Sequence, residues 1–393
     1  MAAIIHYPLR SCNSCHHLMA FASSTICRSF STTYKVTNRN RYDRFRDCVR
    51  LAATNNNNQG DVSLNSPRIA TNTCDVFRSK ESDNMMAVAK CTMEMLSSNR
   101  RSFNRTWERF NPLIQLILHS CKSNKGIKSI ADVGCDHGML TISLACIAWV
   151  NQFGVNDKEN QQHLGSDEFL FSNVFGTDVS SQALKNGGIA SLKRVNEALS
   201  KIESLNNNSS IDLPINFRIG DGLDALRVDE ADAVVIAGMG VHTMIDIMYG
   251  KAETLRTILS PIDRVQTNYL FLQPTNSRPE HLIILYDCLQ KKGFELCNET
   301  VAYVSGRWYI NASFRRNGNK QFDTMYRFPG HYLSNDEIFD NYVKHHIQWL
   351  KQITQNGPLA EEDRRWLQHI STTQDKDEWR RLTTWFRVHT IID

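Results

Sequence analysis

The segment that most constrains the fold of this chain joins two apolar runs through a glycine-rich turn. Ile130–Val133 predicts the end of a buried strand, Gly134–Gly138 a turn, and Met139–Ala148 the helix that follows. In parallel α/β sheets, a strand, a glycine turn and a helix N-terminus form a ligand site at the carboxyl end of the strand. We therefore predict a doubly wound α/β sheet with a ligand crevice at that edge.

Two acidic residues in this turn indicate which ligand the crevice would accept. Asp132 and Asp136 would repel a pyrophosphate, and Gly134 and Gly138 do not form the G-x-G-x-x-G pattern of dinucleotide sites. S-adenosylmethionine (SAM), with a sulfonium and an amino-acid end, fits an acidic loop. We expect Asp132 to act through the loop and through water on the ammonium of SAM, and Gly134 to permit close approach. The alternative for this turn is a capped helix N-terminus.

The residues after this unit alternate between strand and helix patterns, which is typical of a Rossmann-like sheet. A closing antiparallel pair around Gly306 predicts one reversed strand at the edge. The predicted strands are Asn173–Asp178, Ala233–Ala237, Tyr269–Pro274, Phe294–Val304 and Trp308–Phe314, and Ile215–Leu223 predicts a strand with the turn that follows it.

Acids end two of these strands. Asp178 would accept hydrogen bonds from both ribose hydroxyls of the ligand, and Asp221 would contact the adenine amino group. One acid at a strand end is weak evidence, whereas three on successive strands favour a ligand crevice.

The loop after the fourth strand bears on the reaction. Gly238-Met239-Gly240 stands where many amino-directed methyltransferases carry Asn/Asp-Pro-Pro-Tyr/Phe, so exocyclic-amine chemistry is disfavoured. A ring nitrogen such as adenine N1 has a free lone pair and needs only orientation and a negative group near the cation that forms. Asp136 is our candidate for that group, and His137 for orienting the base or Asp136. The alternatives are that Asp136 only shapes the loop or binds SAM, and that His137 packs the loop.

The termini differ from the central region. Residues 1–110 carry 16 Lys and Arg against 8 Asp and Glu, and the remainder carries 29 against 33. Residues 1–42 lack acids and predict a transit peptide for a mitochondrion or plastid, with a disordered basic tail as the alternative. Residues 43–100 predict a disordered linker with one possible helix at 85–96. Eleven scattered cysteines are typical of buried thiols in a reducing compartment.

Two helical segments flank the predicted sheet domain of residues 101–327. An amphipathic helix precedes the first strand, and we expect Arg109 on it to be solvated rather than to face the site. Residues 328–393 predict two antiparallel helices packed as a hairpin. Four basic residues beyond the last strand are candidate RNA contacts, with a solvated face as the alternative: Arg315, Arg316, Lys320 and Arg327.

Five motifs occur in an order that resembles the TrmK family of bacterial tRNA methyltransferases, which methylate N1 of adenine 22. They are Asp132–His137, Gly176–Leu184, Arg218–Leu223, Ile236–Gly240 and Leu272–Pro274. The resemblance covers about residues 101–390 and implies a class I SAM-dependent methyltransferase domain followed by a coiled-coil-like domain that helps hold tRNA. The chain departs from the family in its N-terminal extension, in an insertion at 151–172 and at Val241, where the family has a further glycine.

The resemblance completes the list of expected site residues and partners. SAM is the expected cofactor and tRNA the expected partner, with neither a metal nor a membrane. Methylation of rRNA or protein, or RNA binding without catalysis, remain alternatives. Asp136 and His137 are the expected catalytic residues. The expected cofactor-binding residues are Asp132, Gly134, Cys135, Asp178, Val179, Asp221, Gly222, Ala237 and Gly238.

Overall fold

A computed structural model describes residues 41–52, 80–123, 126–154, 171–201, 212–250, 260–275, 278–317, 329–333 and 336–356. The helices are α1 (41–52), α2 (Lys80–Leu96), α3 (Arg100–Ser123), α4 (Met139–Gly154), α5 (Ser181–Ala183), α6 (Ala190–Leu199), α7 (Val241–Tyr249), α8 (Pro261–Val265), α9 (Pro279–Lys291) and α10 (Glu337–Asn356). The strands are β1 (Ser129–Val133), β2 (Asn173–Asp178), β3 (Ile215–Ile219), β4 (Ala233–Met239), β5 (Tyr269–Pro274), β6 (Phe294–Val304) and β7 (Arg307–Arg316).

The seven strands form one sheet in the order β3-β2-β1-β4-β5-β7-β6. The first five strands are parallel, and β7 runs antiparallel to both β5 and β6. The chain therefore has the predicted Rossmann-like methyltransferase fold. The reversed strand was predicted at the edge and is instead second from it, because β6 pairs outside β7 and runs parallel to the first five strands. The strand order changes direction between β1 and β4, which is where sheets of this kind bind ligands.

Two apolar cores cover the two faces of the sheet, as the pleat requires. Along β1, Ile130 faces a core built with α2, α3, α4 and α6, whereas Ala131 and Val133 face a core built with α7, α8, α9 and α10. All five residues of β1 are buried, as expected for a central parallel strand covered on both faces, and Asp132 is the charged residue among them.

The N-terminal region corrects part of the prediction of a disordered linker at 43–100, of which residues 53–79 lie outside the described residues. Residues 41–52 and 80–96 are helical, and their apolar side chains belong to the core on one face of the sheet. Phe45 and Val49 are one helical turn apart, as are Met85 and Ala89, so each helix has an apolar stripe. The Asn- and Ser-rich composition of the surrounding segment concealed these stripes. The helix expected at 85–96 is confirmed and begins five residues earlier.

A buried carboxylate fixes the segment that leads into α10. Glu299 on β6 accepts hydrogen bonds from Tyr286 Oη at 2.7 Å, from Gly330 N at 2.8 Å and from Tyr332 N at 3.1 Å. Burial raises the pKa of Glu299 to about 7, against these hydrogen bonds, which lower it. The first predicted C-terminal helix is confirmed as α10, and the second lies outside the described residues, as do residues 1–40.

Other features of the described residues bear on the sequence predictions. The cysteines described are free thiols. No group of three or more His, Cys, Asp or Glu side chains within the described ranges is arranged to hold a metal ion. In the same ranges, no helix combines the length and the apolar character needed to span a membrane.

Candidate functional site

The predicted site residues lie where β1, β2, β3 and β4 end, an edge that we call the carboxyl edge. Because these strands are parallel and adjacent, their following loops lie side by side. The β1 and β2 ends are joined directly, since Gly134 N and Cys135 N donate to Thr177 O at 2.8 and 2.9 Å. The β2 and β3 ends are joined by Gly220 N, which donates to Asp178 O at 3.0 Å.

The loop after β1 has an unusual backbone. Gly134 and Gly138 have φ of +73° and +69°, and Asp136 has φ of +48°, a conformation that non-glycine residues rarely adopt. Strained residues of this kind are retained where the surroundings fix them, often at functional sites. Here Asp136 N donates to Asp178 Oδ2 at 2.9 Å, so the second strand holds the loop in place.

Asp178 therefore organises loops as well as facing the crevice. Its Oδ1 accepts from Ser180 N at 2.8 Å while its Oδ2 accepts from Asp136 N. Each carboxylate oxygen can accept more than one hydrogen bond, so binding of ribose hydroxyls stays a prediction that this geometry permits.

Asp132 is a desolvated carboxylate at the floor of the site. It is 3% exposed and accepts a hydrogen bond from Thr141 Oγ1 at 2.6 Å. Burial raises the pKa of Asp132 to about 6, and the hydrogen bond from Thr141 opposes this rise. The backbone N–H of Thr141 and the charge of Arg109 also oppose this rise, and a further cation, such as the expected ammonium of SAM, would favour the charged form of Asp132.

The two predicted catalytic side chains lie at the mouth of the site. Asp136 and His137 are 67% and 70% exposed, and Asp136 Oδ2 lies 3.7 Å from His137 Nε2. Both can therefore reach a bound substrate.

A π-helical turn at Leu184–Ile189, between α5 and α6, packs against this loop. A Cβ at Gly187 would lie 2.7 Å from both Cα and Nδ1 of His137, so only glycine fits there. Ser180 caps α5 through a hydrogen bond from Ala183 N at 3.1 Å. The sequence signal for the π-turn is the Gly187-Gly188 pair within the helix. Such turns often occur at functional sites.

The remaining predicted residues also lie along this edge. Val179 after β2 is 69% exposed, and Ile219 at the end of β3 is 64% exposed. Asp221 is exposed, and Gly222 after it has φ of +56°. These residues place an acid beside uncovered apolar surface, an environment that suits an adenine ring with its amino group.

The loop after β4 meets both the β1 loop and α3. The backbone at Gly134 leaves no room for a Cβ, because the Met239 side chain occupies that space. At Gly238, with φ of +77°, the guanidinium of Arg109 fills the corresponding space. Gly134 and Gly238 thus each allow a neighbouring side chain to pack directly on the backbone, and Ala237 precedes Gly238 on β4.

Arg109 corrects the expectation of a solvated side chain. It is partly buried, and its Nε donates to Gln273 Oε1 at 2.8 Å. The local signal for this position is weak, since Arg109 lies on a helix whose neighbouring apolar residues pack on the sheet. Its contact with Gln273 spans 164 residues of chain and could not be predicted from local pattern.

Two of the four candidate RNA contacts are on the opposite side of the sheet. Arg315 pairs in register with Tyr269, the first residue of β5, so it lies at the amino edge. Arg316 donates to Ile262 O and Thr267 O, each at 3.1 Å. Arg316 is therefore a structural residue, and neither side chain lies beside the site. Lys320 and Arg327 are outside the described residues.

Comparisons with known proteins give one family model and a set of related folds. A family model described as a methyltransferase domain matches residues 181–310. No curated protein matches the chain. Among solved structures, it is similar to M. capricolum TrmK in complex with S-adenosyl-homocysteine, with 14% identity, a TM-score of 0.42, and coverage of 69% of this chain and 98% of that chain. It is also similar to the B. subtilis tRNA methyltransferase TrmK, with 18% identity, a TM-score of 0.39, and coverage of 70% and 97%. The residues matched by the methyltransferase family model run from α5 into β7 and include the ends of β3 and β4 at the carboxyl edge.

Proposed function

We propose that this protein is a SAM-dependent methyltransferase that modifies N1 of an adenine in tRNA. The observation that carries the proposal is the joined set of acidic and glycine loops at the carboxyl edge, where the strand order reverses. The methyltransferase family model and the motifs shared with the TrmK family support the same reaction. Adenine 22 as the target rests on those motifs.

The residues of the edge fit the parts of SAM. Asp132 provides a desolvated carboxylate for the ammonium, and Asp178 provides acceptors for the ribose. Val179 and Ile219 offer exposed apolar surface to an adenine ring, with Asp221 beside them for the amino group. A dinucleotide fits less well, because its pyrophosphate would lie against carboxylates.

The chemistry requires little from the protein beyond orientation and charge. SAM supplies a methyl group that an electron pair can attack. Adenine N1 attacks with its own lone pair, so no side chain has to remove a proton first. Asp136 provides a carboxylate near the positive charge that forms on the ring, and His137 orients that carboxylate or the base.

The same geometry indicates how RNA would approach. Arg109 contacts Gln273 near the carboxyl end of β5. From there α3 runs toward the amino edge, where β1 begins. The residues of α3 that precede Arg109 therefore extend beyond the carboxyl edge. Arg105 and Arg101 lie about 6 and about 12 Å beyond Arg109 along the helix axis, and both are exposed. Arg307, at the start of β7, is exposed at the same edge. We assign contacts with the RNA phosphates to Arg101, Arg105 and Arg307, in place of Arg315 and Arg316.

The organelle and the C-terminal hairpin belong to the proposal as well. The acid-free residues 1–42 support import into a mitochondrion or plastid. A reporter fused to these residues would enter one of the two organelles. A reporter that stays in the cytosol would contradict the proposed transit peptide. The helical pattern of 361–389 supports a partner for α10 in a coiled-coil-like hairpin that contacts tRNA. Deleting residues 357–393 would then weaken tRNA binding and leave SAM binding intact, whereas unchanged tRNA binding would remove the hairpin from the proposal.

Methylation of bulk unmodified tRNA with isotopically labelled SAM, followed by nucleoside mass spectrometry, tests the proposed reaction. We expect label in N1-methyladenosine, and we expect Asp136→Asn to lower kcat more than it changes the KM for tRNA. Label in another nucleoside would show that the target is not adenine N1. Label only in added rRNA or protein would show that the substrate is not tRNA. SAM binding without any methyl transfer would indicate an RNA-binding protein without catalytic activity.

A further inference from the structure

The hairpin of β6 and β7 carries two aromatic side chains beyond the carboxyl edge of the sheet. Its turn residues Ser305 and Gly306 have φ of +52° and +79°, the backbone of a tight two-residue turn, so the strands stay paired up to the turn. Tyr303 and Trp308 pair across the hairpin one step before the last pair, and their ring centroids lie 4.3 Å apart. The hairpin therefore holds both rings in place before any ligand binds.

The described residues leave much of this aromatic surface uncovered. Tyr303 is 53% exposed, and Trp308 is half-buried. Trp308 rests on α10, where its ring centroid lies 5.6 Å from that of the buried Tyr342 and 6.4 Å from that of the exposed His345. Within the described residues, the side chains of Tyr303, Trp308 and His345 make no hydrogen bond. We call these three residues the aromatic platform.

The aromatic platform lies beside the loops of the candidate site. Tyr309, next to Trp308, pairs with Thr275, and Thr275 N donates to Met239 O at 2.8 Å in the loop after β4. Neighbouring strands lie about 4.8 Å apart, so β7 and β6 are about 10 and about 14 Å from β4 across the sheet. A base bound over the loops after β1 and β4 would not touch the platform, which is placed for another nucleotide of the same RNA.

A cation adjoins the aromatic platform. Arg307 directly precedes Trp308, is exposed, and makes no hydrogen bond or ion pair within the described residues. Tyr309, two residues along β7, lies 5.2 Å from Arg109 Cζ, so Arg307 lies on the face of the hairpin toward α3. Trp308 lies on the opposite face, toward α10. A nucleic-acid strand that crosses the tip of the hairpin would meet the cation on one face and the rings on the other.

Aromatic rings next to a guanidinium suit an unpaired nucleotide. Bases stack on Tyr, Trp and His side chains, while Arg binds the adjoining phosphate. The N1 atom of adenine lies on the edge that pairs in a duplex, so the proposed substrate has to present its acceptor adenine out of the helix. Opening the RNA at that point uncovers neighbouring bases, and a protein surface on which one of them stacks stabilises the open form.

A protein partner fits this surface less well. A stable interface between two proteins takes about 800 Å² from each partner and has an apolar centre. Among the described residues of β6 and β7, Tyr303 is the exposed large apolar side chain. The exposed side chains of Arg307 and of Lys344, which precedes His345 on α10, are charged and match an anion.

We propose that Tyr303 and Trp308 stack an unpaired base of the tRNA other than the acceptor adenine, with Arg307 on an adjoining phosphate. The inference rests on the proposed function and extends it to a second nucleotide, outside the loops assigned to SAM. Stacking on the aromatic platform holds the RNA open beside the site, which helps the acceptor adenine to enter.

Binding of two RNAs to the full chain tests this inference. One is unmodified tRNA, and the other is an RNA duplex of similar length without unpaired bases. Tyr303→Ala should weaken tRNA binding by about fivefold to a hundredfold, as expected for the loss of one stacked base. It should change duplex binding by less than about twofold. The slope of log K against log salt should stay the same, because no charge is removed.

Further variants separate stacking from charge and from folding. Tyr303→Phe keeps the ring and should bind both RNAs as the unmodified protein does. Arg307→Gln should weaken binding of both RNAs and reduce the salt slope by about 0.7 to 0.9. Tyr332→Ala is the matched control, because it removes another exposed tyrosine, whose Oη donates to Leu296 O at 3.4 Å near the amino end of β6. It should leave binding of both RNAs unchanged.

Binding of SAM shows whether each variant is folded, since none of these residues belongs to the loops assigned to SAM. All four variants should bind SAM as the unmodified protein does. If Tyr303→Ala does not fold, Tyr303→Leu, which keeps apolar bulk without an aromatic ring, serves in the same comparison of the two RNAs.

The outcomes separate this inference from the proposed function. Equal weakening of tRNA and duplex binding by Tyr303→Ala would overturn the inference. Unchanged tRNA binding would also overturn it, and a changed oligomeric state in the same variant would assign the aromatic platform to a second copy of the chain. The expected dependence of tRNA binding on Tyr303 without any methyl transfer by the unmodified protein would support the stacking role and contradict the proposed function.

Discussion

At the scale of single residues, Asp132 couples ligand binding to protonation. Burial raises the pKa of this carboxyl to about 6, above its ordinary value of 3.8. Between these two values the folded protein keeps a proton that the unfolded chain releases, so this group makes the free protein less stable as pH rises from about 4 to 6. An ammonium beside the carboxylate favours its charged form, so SAM binding and loss of this proton support each other.

The affinity for SAM should therefore depend on pH. We expect the Kd to be nearly constant between about pH 6.5 and 7.5 and to rise by about tenfold for each pH unit below about 6. In Asp132→Asn the affinity should be weaker and this dependence should disappear. Calorimetry from about pH 5 to 7.5 measures both effects. An unmodified protein that binds SAM equally at the two ends of this range would contradict the assignment of Asp132.

Gly238 gives a second prediction at this scale, with its own control two residues away. Gly238→Ala places a Cβ against Arg109 Nη2 in a backbone with φ of +77°, so it should displace the guanidinium and weaken SAM binding by about tenfold or more. Gly240→Ala should change SAM affinity little, because Gly240 has φ of −70° and a Cβ added there would have no atom within 4 Å. Calorimetry on both variants tests this, and equal effects would argue against a special role for Gly238.

At the scale of elements, the sequence predicted the strands better than the loops between them. Asn173–Asp178, Tyr269–Pro274 and Phe294–Val304 were predicted with the bounds that the structure gives, because apolar runs end abruptly at acids, Pro or Gly. The π-turn was missed because Gly187 and Gly188 indicate local flexibility but not the packing of the β1 loop against them. The positive φ of Asp136 was missed for the same reason, since Asp178 from another strand holds it.

The contact of Glu299 on β6 with the segment that leads into α10 gives a prediction about stability. Glu299→Ala would leave three hydrogen-bond donors, on Tyr286, Gly330 and Tyr332, without this acceptor. We expect a loss of about 3 kcal/mol in the free energy of unfolding, measured by urea denaturation. Glu295→Ala on the same strand is the control and should cost less than about 1 kcal/mol, because its ion pair with Arg315 is long, at 3.9 Å, and partly exposed. Equal losses for both variants would contradict the role given to Glu299.

The first turns of α3 give a prediction about RNA. Arg101→Gln together with Arg105→Gln should weaken tRNA binding and should reduce the slope of log K against log salt by about 0.7 to 0.9 for each lost phosphate contact. Arg315→Gln, at the opposite edge of the sheet, should leave both the affinity and the slope unchanged. Filter binding at several salt concentrations measures these quantities. A larger effect from Arg315→Gln would return the RNA surface to the amino edge.

At the scale of the whole molecule, a doubly wound sheet with a reversed strand could be predicted from the sequence, whereas the position of that strand and the full extent of the folded domain could not. The parallel part of the sheet follows from alternating strand and helix patterns with right-handed connections. The inclusion of α1 and α2 depends on a few apolar side chains, such as Phe45 and Met93, within a polar segment. A protein trimmed at residue 100 would uncover part of that core, so experiments require the chain from before residue 41.

The central claim is that a zwitterionic sulfonium cofactor binds across the carboxyl edge. A calorimetric titration of the chain, including α1 and α2, with SAM and separately with NAD tests it most directly. We predict saturable binding of SAM that S-adenosylhomocysteine abolishes by competition, and no binding of NAD. Absence of SAM binding at millimolar concentration, with and without tRNA, or tighter binding of NAD, would contradict this claim.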